Sequence, residues 1–224
     1  MYWQDEGYLL SKNIYGENSI IIEALTSEHG KSIGVVYGGT SRKHKRNFQI
    51  GNKILLNWKS KSENKTGYFS IELIKPISPL FFDNKKKSIC ILSASSLLKI
   101  LLPERQIHQK IYKLYENFLN QLDSENWINL YILWELSLIK ELGFEVDLIN
   151  TIKSSNVEKT SFKMNGKFFK IPVFLQNENQ NKESSSSEIK EALNFNKNLI
   201  IETIISPNNL KFPISRNILE KYYN

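Results

Sequence analysis

KILLNWKSK, residues 53–61, alternates along its length: Ile54, Leu56 and Trp58 fall on one side of an extended chain, and Leu55, Asn57 and Lys59 on the other. That two-residue period predicts a strand with one buried face and one wet face. Upstream, YLLSKNIY (8–15), NSIIIEALT (18–26) and KSIGVVYGG (31–39) are also short and rich in β-branched and aromatic residues, and GYFSIELIK (67–75) follows downstream. Turn residues separate them: Gly16-Glu17, Ser27 to Gly30, the run GGTSRKHKRNFQIGN (38–52), and Ser62 to Thr66. Five strands in about 70 residues, with no helical period among them, match a small closed barrel such as an OB-fold, with an SH3-like barrel as the rival.

After Pro79 the period becomes helical. SICILSASSLLKILL (88–102) stops at Pro103, and residues 104–122 repeat Ile107, Ile111, Leu114, Tyr115, Phe118 and Leu122 at three- and four-residue steps. A third helix is expected from Ser124 to a C-cap at Gly143, a fourth from Ser187 or Glu188 through Ile205, and a short terminal one after Pro213. Residues 151–186 lack a strong period, and NENQNKESSSSE (177–188) has the composition of a loop. The fold class is α+β: an N-terminal five-stranded OB-fold β-barrel over 1–80, then a mainly α-helical C-terminal domain over 81–224.

The formal net charge is +7, and it is unevenly placed. Residues 1–30 hold one Lys against five acids, whereas residues 31–75 hold ten Lys and Arg against Glu63 and Glu72. The basicity is local. A single cysteine, Cys90, allows no internal disulfide and points to a reducing compartment, the cytoplasm by default. The N-terminus carries acids where a secretory signal carries cations, and no apolar run approaches a membrane span of about 18 residues.

Catalytic constellations are hard to find. His29, His44 and His108 stand in no metal-ligand spacing, Gly38-Gly39-Thr40 lacks the spacing of a phosphate loop, and no GxGxxG occurs. Cys90 lies among apolar neighbours and reads as core; Asp5-Glu6 and Glu145/Asp147 read as solvated surface. A non-enzyme without metal or cofactor is expected.

The run at 38–52 exceeds what a solvated turn requires. Arg42, Lys43, Lys45 and Arg46 fall within five positions, Lys53, Lys59 and Lys61 continue the charge, and Tyr37, Phe48, Trp58 and Tyr68 interleave rings with it. Trp58 is assigned to the core; Tyr37, Phe48 and Tyr68 are candidates to stack bases. Cations that track phosphates and flat rings that accept any base are what single-stranded nucleic acid needs. An RNA-binding OB protein of translation or RNA processing would use the same residues, and a module meeting an acidic protein partner is a third reading.

The order of these pieces resembles a known family. Tyr15 to Lys61, YGENSIIIEALTSEHGKSIGVVYGGTSRKHKRNFQIGNKILLNWKSK, is similar to the N-terminal domain of the bacterial RecO family of DNA repair and recombination mediators. YILWELSLIKELGFEVDL (131–148) and KFPISRNILEKYY (211–223) extend the resemblance over nearly the whole chain. It implies a non-enzymatic, cytoplasmic, nucleoid-associated protein that binds single- and double-stranded DNA, anneals complementary strands, and with RecR helps load RecA on DNA coated by single-stranded-DNA-binding protein (SSB). It implies that Arg42, Lys43, Lys45, Arg46, Lys53, Lys59 and Lys61 contact DNA, and that the helical domain receives the SSB C-terminal tail, with Arg216 a candidate for partner contact. Many relatives carry a four-cysteine zinc module where DLINTIKSSNVEKTSFKMNGK (147–167) has no Cys, so no zinc is expected here.

Overall fold

A computed structural model describes residues 1–41, 48–62, 66–144, 161–164, 167–172, 175 and 184–223. Five strands, β1 (Tyr2–Tyr15), β2 (Ser19–Thr26), β3 (Gly30–Tyr37), β4 (Lys53–Lys59) and β5 (Gly67–Lys75), close into a barrel in the order β1-β2-β3-β5-β4. β1 pairs with β2 through its second half and with β4 through its first, which closes the ring. β5 lies between β4 and β3 and runs parallel to β3 through only two residue pairs, Gly34 with Gly67 and Val35 with Tyr68. This closure is OB-like, and the SH3-like alternative is set aside.

Leu9, Ile22, Ile54, Leu56, Trp58 and Phe69 belong to the buried core of the barrel, as the alternation in β4 requires. At about 25 cal/mol per Å2 of apolar surface removed from water, each such side chain contributes roughly 1.5–3 kcal/mol before its ordering entropy is counted. β1 begins six residues earlier than the sequence pattern predicts. Its acids are the reason: Asp5 breaks the apolar pattern, yet it is buried and satisfied by hydrogen bonds from the β2–β3 turn.

The end of the basic run is anchored to the barrel. Gly51 N–H donates to the Leu9 carbonyl (2.7 Å), and Leu9 N–H donates to the Asn52 carbonyl (3.1 Å), beside the register shift between Leu9 and Ser11 in β1. Asn52 is fully buried, and its side-chain carbonyl accepts from Ile77 N–H (2.9 Å) and Ser78 N–H (3.2 Å), fixing the exit from β5. Gly51 has φ +89°, and a Cβ there would lie 2.4 Å from the Ile91 methyl, so the position admits little besides glycine.

A short 3-10 turn, Ser78–Phe81, leads to α1 (Lys85–Leu101), which starts where the Asn84 side chain accepts from Lys87 N–H (3.1 Å). α2 (Gln109–Asn120), α3 (Trp127–Glu141), α4 (Ser186–Ile200) and α5 (Ile214–Lys221) follow. Residues 104–108 are not the start of α2, as their periodicity predicts. Glu104 bridges to Lys31 of β3, Arg105 N–H donates to the Lys31 carbonyl (2.8 Å), and Arg105 has φ +59°. Pairing with the barrel edge here prevails over helix propensity.

The chain forms two compact units, Met1–Lys113 with Pro213–Arg216 and Leu114–Phe212 with Asn217–Asn224. In the second, Tyr115, Phe118, Tyr131 and Trp134 form a ring cluster with centroids 5.5–6.0 Å apart. Fully buried Glu135 accepts from Tyr131 Oη (2.7 Å) and Asn196 Nδ2 (3.1 Å), tying α3 to α4. Ser185 and Glu188 form a capping box at α4, a feature worth about 1 kcal/mol. A helical continuation with π geometry, Ile201–Ile205, completes the predicted span of that helix. Within 149–186, β6 (Ser161–Met164) and β7 (Lys167–Lys170) pair antiparallel. Among the described residues no helix is long and apolar enough to cross a membrane, and no group of three His, Cys, Asp or Glu side chains could hold a metal ion.

Candidate nucleic-acid interface

The register of the barrel assembles one row of exposed residues. Lys59 at the end of β4 stands opposite Tyr2 on β1 and opposite Tyr68 on β5; Tyr68 in turn stands opposite Val35, two residues before Tyr37. Strands about 4.8 Å apart bring such neighbours and diagonals into contact. Tyr37 and Tyr68 stack with ring centroids 5.0 Å apart and planes 22° apart. They are 67% and 45% exposed, so the pair offers a flat aromatic surface to solvent. A hydrogen bond with Tyr68 holds the Tyr37 phenol above the usual tyrosine range.

The Lys59 ammonium lies 5.7 Å from the Tyr2 ring centre, and Tyr2 Oη donates to Asn57 Oδ1 (3.0 Å). Tyr2, Asn57, Lys59, Tyr68, Phe69 and Ser70 line a shallow cleft of about 370 Å3. Its chemistry is a cation, amide and hydroxyl groups, and aromatic faces, with no carboxylate among the lining residues. Lys61 is exposed just beyond β4.

The other predicted residues are placed differently. Lys53, at the opposite end of β4, pairs with Glu6 at 2.9 Å and keeps only 19% of its side chain exposed. Phe48 is 2% exposed and belongs to the barrel core, so it cannot stack a base from solution; its place beside four cations in the sequence concealed that inward orientation. Arg216 is fully buried, which removes it as a surface contact for a partner; the adjacent Ser215 hydroxyl approaches the Leu92 carbonyl (3.3 Å) and Ser96 Oγ (3.2 Å) of α1. Lys31, the first cation of the basic segment 31–75, is 8% exposed and donates to the Lys99 carbonyl (2.6 Å); its burial lowers its pKa, against the pull of Glu23 and Glu104. Arg42, Lys43, Lys45 and Arg46 lie outside the described residues.

A second aromatic cluster was not visible in the sequence. Trp3 faces Trp58 across the β1–β4 pair, with centroids 5.6 Å apart, and His29 stacks on Trp3 at 4.1 Å with planes 10° apart. His29 Nδ1 is 2.9 Å from Asp5 Oδ2. Burial pushes the Asp5 carboxyl up, but hydrogen bonds from Ser27 Oγ, the His29 ring and Glu28 N–H outweigh it and hold the group below the usual aspartate range. The TSEHG turn (26–30) thus has a structural logic. Thr26 Oγ1 donates to the Gly30 carbonyl, and Gly30 has φ +67° with Gln106 so close that a Cβ would lie 2.0 Å from its carbonyl oxygen.

The structure thus defines the class: a small OB-like barrel that carries an exposed stacked tyrosine pair with a neighbouring lysine, and in sequence a long basic connection between β3 and β4. Comparison with known proteins narrows this class. Residues 1–77 match the model of the recombination protein O N-terminal domain, and residues 84–193 match that of its C-terminal domain. The DNA repair protein RecO of Cereibacter sphaeroides is 34% identical over 161 residues, covering 71% of this chain and 67% of that protein. The DNA repair proteins RecO of Roseobacter denitrificans and Wolbachia pipientis are each 34% identical, over 149 and 150 residues, covering 66% of this chain and 62% and 61% of their own lengths. The chain belongs to the RecO family.

Proposed function

We propose that this chain is a non-catalytic mediator of DNA repair and recombination. Its barrel binds single- and double-stranded DNA, it anneals complementary strands, and with RecR it helps load RecA on SSB-coated DNA. The observation that carries the reading is the exposed Tyr37–Tyr68 stack beside Lys59, on the barrel of a RecO-family chain whose relatives are named DNA repair proteins. Stacking on a ring contributes roughly 1–3 kcal/mol per base and is indifferent to sequence, and phosphate contacts give affinity without base choice. An annealing protein needs both properties. Arg42, Lys43, Lys45 and Arg46, with Lys59 and Lys61, neutralise phosphates on both strands and so weaken the repulsion that opposes pairing. The helical domain receives the SSB tail, and the protein works in the cytoplasm at the nucleoid.

Annealing of complementary oligonucleotides without ATP, naked and SSB-coated, tests this. Acceleration of both is expected. Binding confined to RNA, which the OB architecture would equally permit, or no acceleration of either substrate, would overturn the reading.

A further inference from the structure

Beside the Tyr2–Lys59–Tyr68 cleft lies a larger one, of about 440 Å3, and Tyr2 lines both. Trp3, Glu28, His29, Trp58, Arg105 and Ile107 help to form it, where the start of β1, the end of β4 and the β2–β3 turn meet residues 105–107. Three observations distinguish it from a chance depression. The His29, Trp3 and Trp58 rings lie nearly parallel, within 10° and 15° of one another in sequence, so its wall is a ready aromatic stack. His29 is held in that stack by Asp5, which is itself 7% exposed and fixed by the turn that carries His29. Arg105 is placed at the rim by a left-handed backbone that an arginine rarely adopts, pinned to β3 through the Lys31 carbonyl. Pairing with β3 over-determines this backbone, and residues held in this way recur at binding sites.

We propose that this cleft receives an unpaired nucleobase of a strand bound on the barrel, laid against the His29–Trp3 stack, with a flanking phosphate at Arg105. The inference rests on the nucleic-acid reading above and extends it. The strand's path runs from the Tyr37–Tyr68 pair past Lys59 and Tyr2, and turns into the cleft at Trp3. A flat, uncharged heterocycle fits the parallel rings, and the guanidinium at the rim suits a phosphate better than an acidic peptide's apolar partner residues would suit this polar-edged wall. A base held there is splayed from its neighbours, which presents the strand unstacked for pairing.

The test is a titration of the full-length protein with a thymidine oligomer and with an abasic oligomer of equal length, read by tryptophan emission and by anisotropy of a label on the oligomer. Trp127 and Trp134 are buried and give a constant background. The thymidine oligomer is expected to quench emission and the abasic one to bind without quenching. Trp3→Phe removes most of the quench and weakens, without abolishing, anisotropy-detected binding of the thymidine oligomer. Arg105→Gln, at an exposed position, makes the slope of log K against log salt shallower by about 0.7, one single-strand phosphate contact. Binding with unchanged emission, or equal quenching by the abasic oligomer, overturns the cleft assignment alone. No anisotropy change with either oligomer overturns the barrel reading and the cleft with it.

Discussion

Lys53 and Lys59 are the same residue type on the same strand, six residues apart and on the same outward face, yet the barrel uses them differently. Lys53 sits in a row with Tyr8, which is buried, and is held by Glu6 at 2.9 Å. Lys59 sits in a row with Tyr2 and Tyr68, both exposed. The cross-strand neighbour, not the charge, decides which lysine stabilises the barrel and which is available to a polyanion. Counting cations along a sequence treats the two as equal.

Four measurements sharpen or break this contrast. The largest expected effect belongs to the basic connection: Arg42→Gln, Lys43→Gln, Lys45→Gln and Arg46→Gln together should make the slope of single-strand binding against salt shallower by about 2.8, four phosphate contacts at about 0.7 each. Next, Tyr37→Ala with Tyr68→Ala removes a stacking surface worth roughly 1–3 kcal/mol per base, so affinity at fixed salt should fall about tenfold or more while the slope stays the same. A third comparison pits the two lysines directly. Lys59→Gln should make the slope shallower by about 0.7; Lys53→Gln should leave the slope alone and cost under about 1 kcal/mol of stability, as exposed or half-buried ion pairs do. Equal slopes for the two variants would break the contrast.

The smallest effect is on pH dependence. Asp5 has a folded-state pKa lowered from 3.8, so its contribution to stability is complete above that value and is lost as pH falls through the lowered folded value. Urea midpoints measured on both sides of pH 3.8 should show Asp5→Asn less stable than the parent at neutral pH, with the gap narrowing in acid. A gap that is the same at every pH would place the benefit of Asp5 in packing rather than in its charge.

Much of the barrel is legible in the sequence: β4 alternates, and the other strands show as short runs rich in β-branched and aromatic residues between turn residues. β5 has the bounds its sequence predicts and the other ends are displaced by at most six residues; β1 is the extreme case, because a satisfied buried acid breaks the pattern that reveals a strand. The helices follow where they rest on their own apolar stripe, as α3 and α4 do. Residues 104–108 depart because their backbone bonds to β3, a partner more than 70 positions away that no local window includes. The β6–β7 pair is shorter than the windows that expose a period, although an Asn165-Gly166 dipeptide, a strong hairpin signal, separates the two strands.

The candidate site is less legible than the fold. Tyr37, Tyr68 and Lys59 are recognisable by type, and their convergence depends on register, which only the closed barrel supplies. Phe48 and Arg216 have the composition of contact residues and are buried, since an aromatic ring or a guanidinium serves a core as readily as a ligand. Trp3, His29 and Arg105 come from three separate segments. The one sequence signal among them belongs to His29: TSEHG places a histidine and a glycine in a turn where neither charge nor metal spacing explains them.

The central claim is that this RecO-family barrel grips a single strand through phosphates at its basic connection and through bases at its exposed rings. Its most direct test is the slope of log K against log salt for a thymidine oligomer, measured on the parent and on the variant with Gln at 42, 43, 45 and 46. A variant slope shallower than the parent's by about 2.8 is predicted; the same slope in both proteins would contradict the account.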